Sequence, residues 1–493
     1  MGDLSWPLAR AAQLHGARTA VRDGDRTVTY AELARQVDAL GAALPAGHIG
    51  VLAANSLPHL ECWLAIPAHG RVIVDLNHRL APEELAFIAE DAGLELLLAD
   101  AERLPVARTI ASCPVLDIEH APRVVPQPPP DHAPDTLAAI SYTGGTTGTP
   151  KGVMLSHGNL VANALHNLVA TGHSAEDRWL HVCPMFHVAG TANVIACTWV
   201  GAEQVILPRF DPEAVATTIE RERITHTVLV PTMLALLLDH LEEHPADLSS
   251  LRHVQYAASP ISPALQRRVL DTLDCDVAQF YGMTEAAPTV THCTPGDHRR
   301  GRKLDSVGAP VAGVQVEIRS LDGGPVGEIC VRGPNVMLGY WNRPEATAEA
   351  LVDGWYRTGD AGRMDSDGYV YLVDRLKDMM VTGGENVYSI EVESALASHD
   401  GVLEAAVFGI PDDAWGERVH AVVALRPGAK VTEEELVAHC RGRIAGFKLP
   451  RSIELRDEPL PKSGAGKLLK HVLREQRATP RSHDSDSLVR RST

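Results

Sequence analysis

Aromatic residues make up only 4% of the 493 positions, and none of the eight cysteines, scattered from Cys62 to Cys440, forms a C-x-x-C pair. That spacing offers neither a zinc site nor a disulfide framework, so reduced core thiols are expected. Basic residues are also in deficit, 45 against 63 acidic, and the resulting formal charge of −18 opposes a broad affinity for nucleic acid or an anionic membrane. A bound polyphosphate would have to be held by local groups. No apolar run reaches the roughly 20 residues that span a bilayer. The opening residues lack a basic stretch followed by an apolar one, so a cytoplasmic protein is expected. The lack of a repeat of about 20 to 50 residues argues against a solenoid or propeller.

What is present is enough apolar sequence, 45%, to fold most of the length. At about 150 residues per domain, roughly three packed units are expected. From Thr27 to Ala99 helix-period and strand-like segments alternate: Tyr30 to Leu44 has helical spacing, while His48 to Ala54 and Val72 to Leu76 are short apolar runs. This is α/β patterning. The proline-rich stretch Ala121 to Asp135 reads as an exposed connector, and a second α/β region follows to about residue 300. Short strands at Val314 to Ile318, Gly327 to Val331 and Tyr369 to Val373 then predict a β-rich subdomain. Beyond Asp374, strand and helix signals at 389–397, 402–410, 420–425 and 433–444 predict a small α+β domain. The expected division is 1–376, 377–478 and a disordered tail at 479–493.

The strongest chemical signal is Ser141-Tyr142-Thr143-Gly144-Gly145-Thr146-Thr147-Gly148-Thr149-Pro150-Lys151-Gly152, which follows the apolar strand 137–140. Its glycines let successive amides turn inward, its threonines add hydroxyl donors, and Lys151 adds a full positive charge, the donors a triphosphate needs. A Walker A loop is disfavoured, because Thr149-Pro150 separates the last loop glycine from Lys151 and a strand, not a helix, follows. With its Pro150-Lys151-Gly152 ending, the segment resembles the phosphate loop of the ANL superfamily: acyl- and aryl-CoA synthetases, nonribosomal peptide synthetase adenylation domains and luciferases.

Further motifs follow in that family's order. Tyr281-Gly282-Met283-Thr284-Glu285 ends a strand; taken alone it is a strand end and helix start, with Thr284 as a cap. The resemblance implies that Tyr281 lies on adenine, beside Gly282, Met283 and the segment Ala258-Ser259-Pro260. It further implies that Thr284 reaches the α-phosphate and that Glu285 holds magnesium (Mg²⁺). Asp360, after a glycine turn in Trp355-Tyr356-Arg357-Thr358-Gly359-Asp360, and Arg375 are implied ribose contacts. Lys377 is the implied hinge, Gly383 and Gly384 the loop that faces coenzyme A, and Lys467 the catalytic lysine. Alone, Lys467 would be a solvated lysine on a glycine-flanked turn. The resemblance places His187 at the mouth of the acyl pocket, but the residue fits a satisfied structural histidine equally well.

The resemblance covers Thr27 to Arg477. It implies an α/β fold with a large N-terminal domain of two α/β subdomains plus a β-rich one, joined to a small mobile α+β domain. The implied activity is an ATP-dependent ligase: a carboxylate attacks the α-phosphorus of ATP, and the acyl-adenylate passes to the thiol of coenzyme A. Along the pocket walls the resemblance places mostly small residues, Ala189, Gly190, Ala192 and the segment Tyr256-Ala257-Ala258-Ser259-Pro260, which leave room for an aromatic or medium-length apolar acid. The alternatives are another acceptor (a carrier-protein thiol, an amine, or nitrite as in diazotising relatives) and a non-catalytic nucleotide-binding protein. The 16 residues after Arg477 cannot form a carrier domain, so a stand-alone enzyme is expected, whether monomer or homodimer. Departures from the family pattern are a short region at 43–50 and the choice of Asp75 and His78.

Overall fold

In the computed structural model, residues 2–143, 150–259, 261–320, 323–382, 385–412, 415–462 and 468–478 are described. The chain divides into two compact units, Met1–Leu372 and Val373–Thr493.

The first unit is built on three sheets. A seven-stranded sheet has a parallel centre, in which His48–Leu52 pairs with Val72–Asp75 and Leu94–Ala99. Strand Leu137–Thr143 joins that centre in parallel, and Lys151–Ser156 folds back against it. A nine-stranded sheet has the parallel run Asp276–Gly282, His253–Tyr256, His226–Leu229, Arg178–His181 and Glu203–Ile206. Its far edge is made by strands Thr19–Asp23 and Arg26–Thr29, from the very start of the chain. The α/β patterning therefore holds, but the two sheets are not sequential blocks: each draws strands from both sides of the connector at 121–135. One continuous apolar core accounts for this, since Val21, Ile49, Leu60, Ala138, Val290 and Ile329 all belong to it. Burying that much apolar surface in one body outweighs local order in sequence.

The predicted helix from Tyr30 is present as Tyr30–Ala43, started by a reciprocal cap between Thr29 and Glu32. The β-rich subdomain is an antiparallel sheet of Gln315–Ser320, Gly327–Arg332 and Trp355–Met364, edged by Leu351–Val352, with Val370–Arg375 pairing alongside. The glycine turn expected before Asp360 is absent. Asp360 lies inside the ten-residue strand Trp355–Met364, where Gly359 at φ 71° makes an irregularity opposite Glu328. The unusual residues Asp75 and His78 are also accommodated. Asp75 accepts hydrogen bonds from His59 (2.7 Å) and Trp63 (2.6 Å) inside the core, while His78 packs edge-on against Phe186.

The second unit has a five-stranded sheet dominated by the pair Val402–Asp412 and Gly416–Leu425, with helices Ser389–Ala397, Glu433–Cys440 and Lys470–Ala478. No described helix is long and apolar enough to cross a membrane.

Candidate active site

In parallel α/β sheets the loops leaving the carboxyl ends of neighbouring strands converge, and ligands bind there. Several of the motif residues lie at such strand ends. Strand Asp276–Gly282 ends at Tyr281 and Gly282, and the neighbouring strand His253–Tyr256 runs straight into Ala258 and Ser259. Ala258 is exposed and held at φ 74°, a left-handed conformation that costs energy in a residue with a Cβ. His187 follows strand Arg178–His181, one strand further along the same sheet beyond His226–Leu229, and immediately precedes helix Val188–Val200.

After Tyr281 the chain reverses sharply. The amide of Met283 donates to the carbonyl of Pro288 at 3.0 Å, and Thr284–Ala286 form a single 3-10 turn rather than the start of a helix. The reversal needs Gly282: a Cβ there would sit 1.7 Å from the Pro288 carbonyl oxygen. This turn leaves Thr284 and Glu285 half-exposed while Tyr281 stays buried.

Two contacts join motifs that are remote in sequence. The hydroxyl of Tyr281, the expected adenine partner, donates to Oδ2 of Asp360, the expected ribose anchor, at 2.7 Å. Asp360 is itself held in place, because its amide donates to Thr358 Oγ1 while that hydroxyl donates to the Ile329 carbonyl. The second contact centres on Tyr340. Its hydroxyl donates to Oε1 of Glu285 at 3.0 Å, and the ammonium of Lys151 lies over its ring, 5.1 Å from the centroid. Burial first, and then the carboxylate of Glu285, push the Tyr340 hydroxyl well above its ordinary range; Tyr356, hydrogen-bonded to it, is raised too, again chiefly by burial. Tyr340 therefore remains a donor at every physiological pH.

Thr143 and Lys151 are register partners, so both ends of the glycine–threonine segment are fixed at one place. Gly144, Gly145, Thr146, Thr147, Gly148 and Thr149 lie outside the described residues, as do Pro260, Gly383, Gly384 and Lys467. Arg375 and Lys377 belong to the second unit, where Arg375 follows the buried carboxylate of Asp374 and Lys377 lies just inside the division. Burial, reinforced by Arg375, Arg474 and Lys470, lowers Lys377 to about 8. Thr382 and Glu385, on either side of Gly383 and Gly384, pair in a short antiparallel ladder. That ladder precedes helix Ser389–Ala397, which carries Glu391 and Glu393.

Sequence reasoning missed Tyr340. The signal was Gly339-Tyr340-Trp341, two adjacent aromatics after a glycine in a chain that has few. It also missed a buried polar network in the second unit. There Lys470 pairs with Glu393 at 2.7 Å and donates to Ser389, and Ser389 in turn bonds Asp374.

The donor set suits a nucleotide and its metal: a buried carboxylate presented with a tyrosine for ribose and base, and a half-exposed carboxylate oxygen of the hard type magnesium prefers. The chain matches the AMP-binding enzyme family over residues 8–341 and the AMP-binding enzyme C-terminal domain over residues 391–467. It is 40% identical to a feruloyl-CoA synthase of Amycolatopsis sp, over 96% of this chain and 98% of that protein. A fatty acid–[acyl-carrier-protein] ligase of Streptomyces coeruleorubidus is 36% identical, over 94% of both chains. Among solved structures, o-succinylbenzoate CoA synthetase from Bacillus subtilis with its acyl-adenylate intermediate matches with a TM-score of 0.87 at 32% identity, covering 96% of this chain and 98% of that one. The same enzyme has been solved with ATP and a magnesium ion.

Proposed function

Because this chain belongs to the AMP-binding enzyme family, we propose that it joins a carboxylic acid to coenzyme A through an acyl-adenylate, releasing pyrophosphate and then AMP. The observation that carries the reading is the hydrogen bond between Tyr281 and Asp360. It brings a ring suited to stacking on a base and a carboxylate suited to ribose together from positions 79 residues apart.

The substrate carboxylate and the α-phosphate of ATP are both anionic, so their approach requires positive charge where negative charge accumulates. Lys151 supplies one such charge. Magnesium bound at Glu285 would supply charge neutralisation on the phosphate oxygens. A carboxylate oxygen forms a bond to the α-phosphorus as the bond to the pyrophosphate oxygen breaks; positioning and electrostatics carry the step without a protein nucleophile. The thiolate sulfur of coenzyme A then attacks the acyl carbon, and the bond to AMP breaks. For Lys467, Arg375 and the Gly383-Gly384 loop, the roles rest on the sequence motifs.

The acid in this reading is aromatic or medium-length and apolar. Helix Val188–Val200 begins with small residues, and Gly190 lies so close to the Pro184 carbonyl that a Cβ would come within 2.4 Å of its oxygen. The feruloyl-CoA synthase relative is named for an aryl-acyl thioester. A second reading, transfer to a carrier-protein thiol, is favoured by the 36% identical acyl-carrier-protein ligase.

Acid-dependent ATP–pyrophosphate exchange, run over hydroxycinnamates, arylacetates and medium-chain fatty acids, tests the first half-reaction. AMP release on adding coenzyme A tests the second. Exchange with no acid in the panel would sink adenylation of this acid class. Exchange followed by AMP release only with a carrier-protein thiol would select the second reading.

A further inference from the structure

The amino-terminal ends of the nine-stranded sheet's parallel strands, away from Tyr281 and Ala258, hold buried imidazoles that the nucleotide chemistry does not use. His173 follows helix His157–Thr171 and the left-handed Gly172, Asp177 immediately precedes strand Arg178–His181, and His226 opens the adjacent strand His226–Leu229. One donor atom from each lies within 4.8 Å of the other two. The side chain of His173 is 1% exposed, and neither of its ring nitrogens has a hydrogen-bond partner among the described residues. A neutral imidazole carries one N–H donor and one lone pair, and leaving both unmet in the interior is costly enough to require an explanation.

The surroundings are specific. His173 Nδ1 stands 3.9 Å from Asp177 Oδ2, and His226 Nδ1 stands 3.7 Å from Asp177 Oδ1. Asp177 Oδ2 also accepts the Ser174 amide at 2.8 Å, and Oδ1 also pairs with Arg252. His226 Nδ1 shares a hydrogen with Thr225 Oγ1 at 2.7 Å. His253, whose Nε2 has no partner among the described residues, stacks on His226 with centroids 5.6 Å apart, and Trp179 meets His173 edge-on. Burial, followed by the neighbouring rings of His226 and His253, lowers His173 to about 3; burial, followed by His253 and Arg252, does the same to His226.

We infer that His173, Asp177 and His226 form a site for a borderline divalent cation of the Zn²⁺ class, separate from the nucleotide site. Two imidazoles and one carboxylate suit Zn²⁺, Co²⁺ or Ni²⁺ better than Mg²⁺ or Ca²⁺. Bonds of about 2.1 Å set tetrahedral donors about 3.4 Å apart, so side-chain rotations closing each gap by roughly 1.5 Å or less would complete the site. Arg252, whose side chain is 55% exposed, can turn to solvent as the cation takes over the charge of Asp177. The cation would tie the segment 172–177 to the amino-terminal end of the central strand His226–Leu229, a structural role.

The test uses the full chain, stripped with a chelator and titrated with Co²⁺ and Zn²⁺. His240 and His244, a stacked pair at the end of helix Pro231–Glu243, are the obvious competing surface ligands, so His240→Ala/His244→Ala is the background. One equivalent of Co²⁺ should give a visible tetrahedral ligand-field band in that background, and Zn²⁺ should raise its Tm. Loss of even an outer-shell partner weakens metal sites by up to about 100-fold, so His173→Ala should weaken binding at least that much, with ATP–pyrophosphate exchange unchanged. No band in the background variant, or a band that His173→Ala leaves intact, overturns the inference. Should His173→Ala not fold, His226→Gln and the titration of the background variant decide it in the same way.

Discussion

Tyr340 touches the carboxylate of Glu285, the ammonium of Lys151 and the hydroxyl of Tyr356, so one ring aligns the proposed magnesium ligand with the proposed phosphate-binding cation. Tyr340→Phe keeps the ring under Lys151 and removes the hydrogen bond to Glu285 together with the contact to the Tyr356 hydroxyl. Bonds to charged groups contribute about 1.5–3 kcal/mol, so half-saturation by magnesium in the exchange assay should rise about 10-fold or more, with Tm little changed. An unchanged magnesium dependence would show that Glu285 is oriented without it. Asp360→Ala removes both the partner of Tyr281 and the expected ribose anchor. The KM for ATP should rise about 100-fold, as expected for two charge-assisted hydrogen bonds, while the adjoining strand stays folded. Lys467→Ala separates the two chemical steps. Adenylation should be abolished while thioester formation from supplied acyl-adenylate persists, and equal loss of both would refute that division.

At the scale of elements, the site depends on the reversal that joins strand Asp276–Gly282 to strand Thr289–Cys293. Gly282→Ala places a methyl group against the Pro288 carbonyl, and backbone on both sides must shift. Overpacking of this kind costs about 1–3 kcal/mol, so both Tm and exchange activity should fall, and a variant with native Tm would mean that the turn yields more easily than its geometry implies. In the second unit the equivalent element is helix Lys470–Ala478, fixed through Lys470 to Glu393 and Ser389. Burial raises Glu393, Lys470 opposes that rise, and Asp374 is raised by burial as well. Removing Lys470 leaves these acids buried without their cation, a change that destabilises by about 3–5 kcal/mol. Lys470→Ala should therefore melt the second unit early, seen as proteolysis beyond residue 373 while the first unit remains intact.

Over the whole molecule, buried histidines set the response to acid. Burial lowers His157, His181 and His292 each to about 4. The unfolded rings take up protons below about 6.5, so between pH 6.5 and 4 the unfolded state binds more protons and stability falls as pH falls. At pH 5 each ring can cost up to about 2 kcal/mol, so the urea midpoint should drop markedly between pH 7 and pH 5, and His181→Gln should flatten the slope. Equal midpoints at the two pH values would contradict this. Much of the molecule is written locally: the helix from Thr29, the short apolar strands, the glycine–threonine segment and the series of motifs are set by spacing and residue type, which neighbouring positions fix. Tertiary structure alone decided that strands 19–29 join the sheet of strands 178–282, that Asp360 lies within a strand, and that Tyr281 bonds Asp360 while Tyr340 holds Glu285. It also decided that His173, Asp177 and His226 meet. These are contacts across tens to hundreds of residues, selected by burying one common core, and no local pattern carries them.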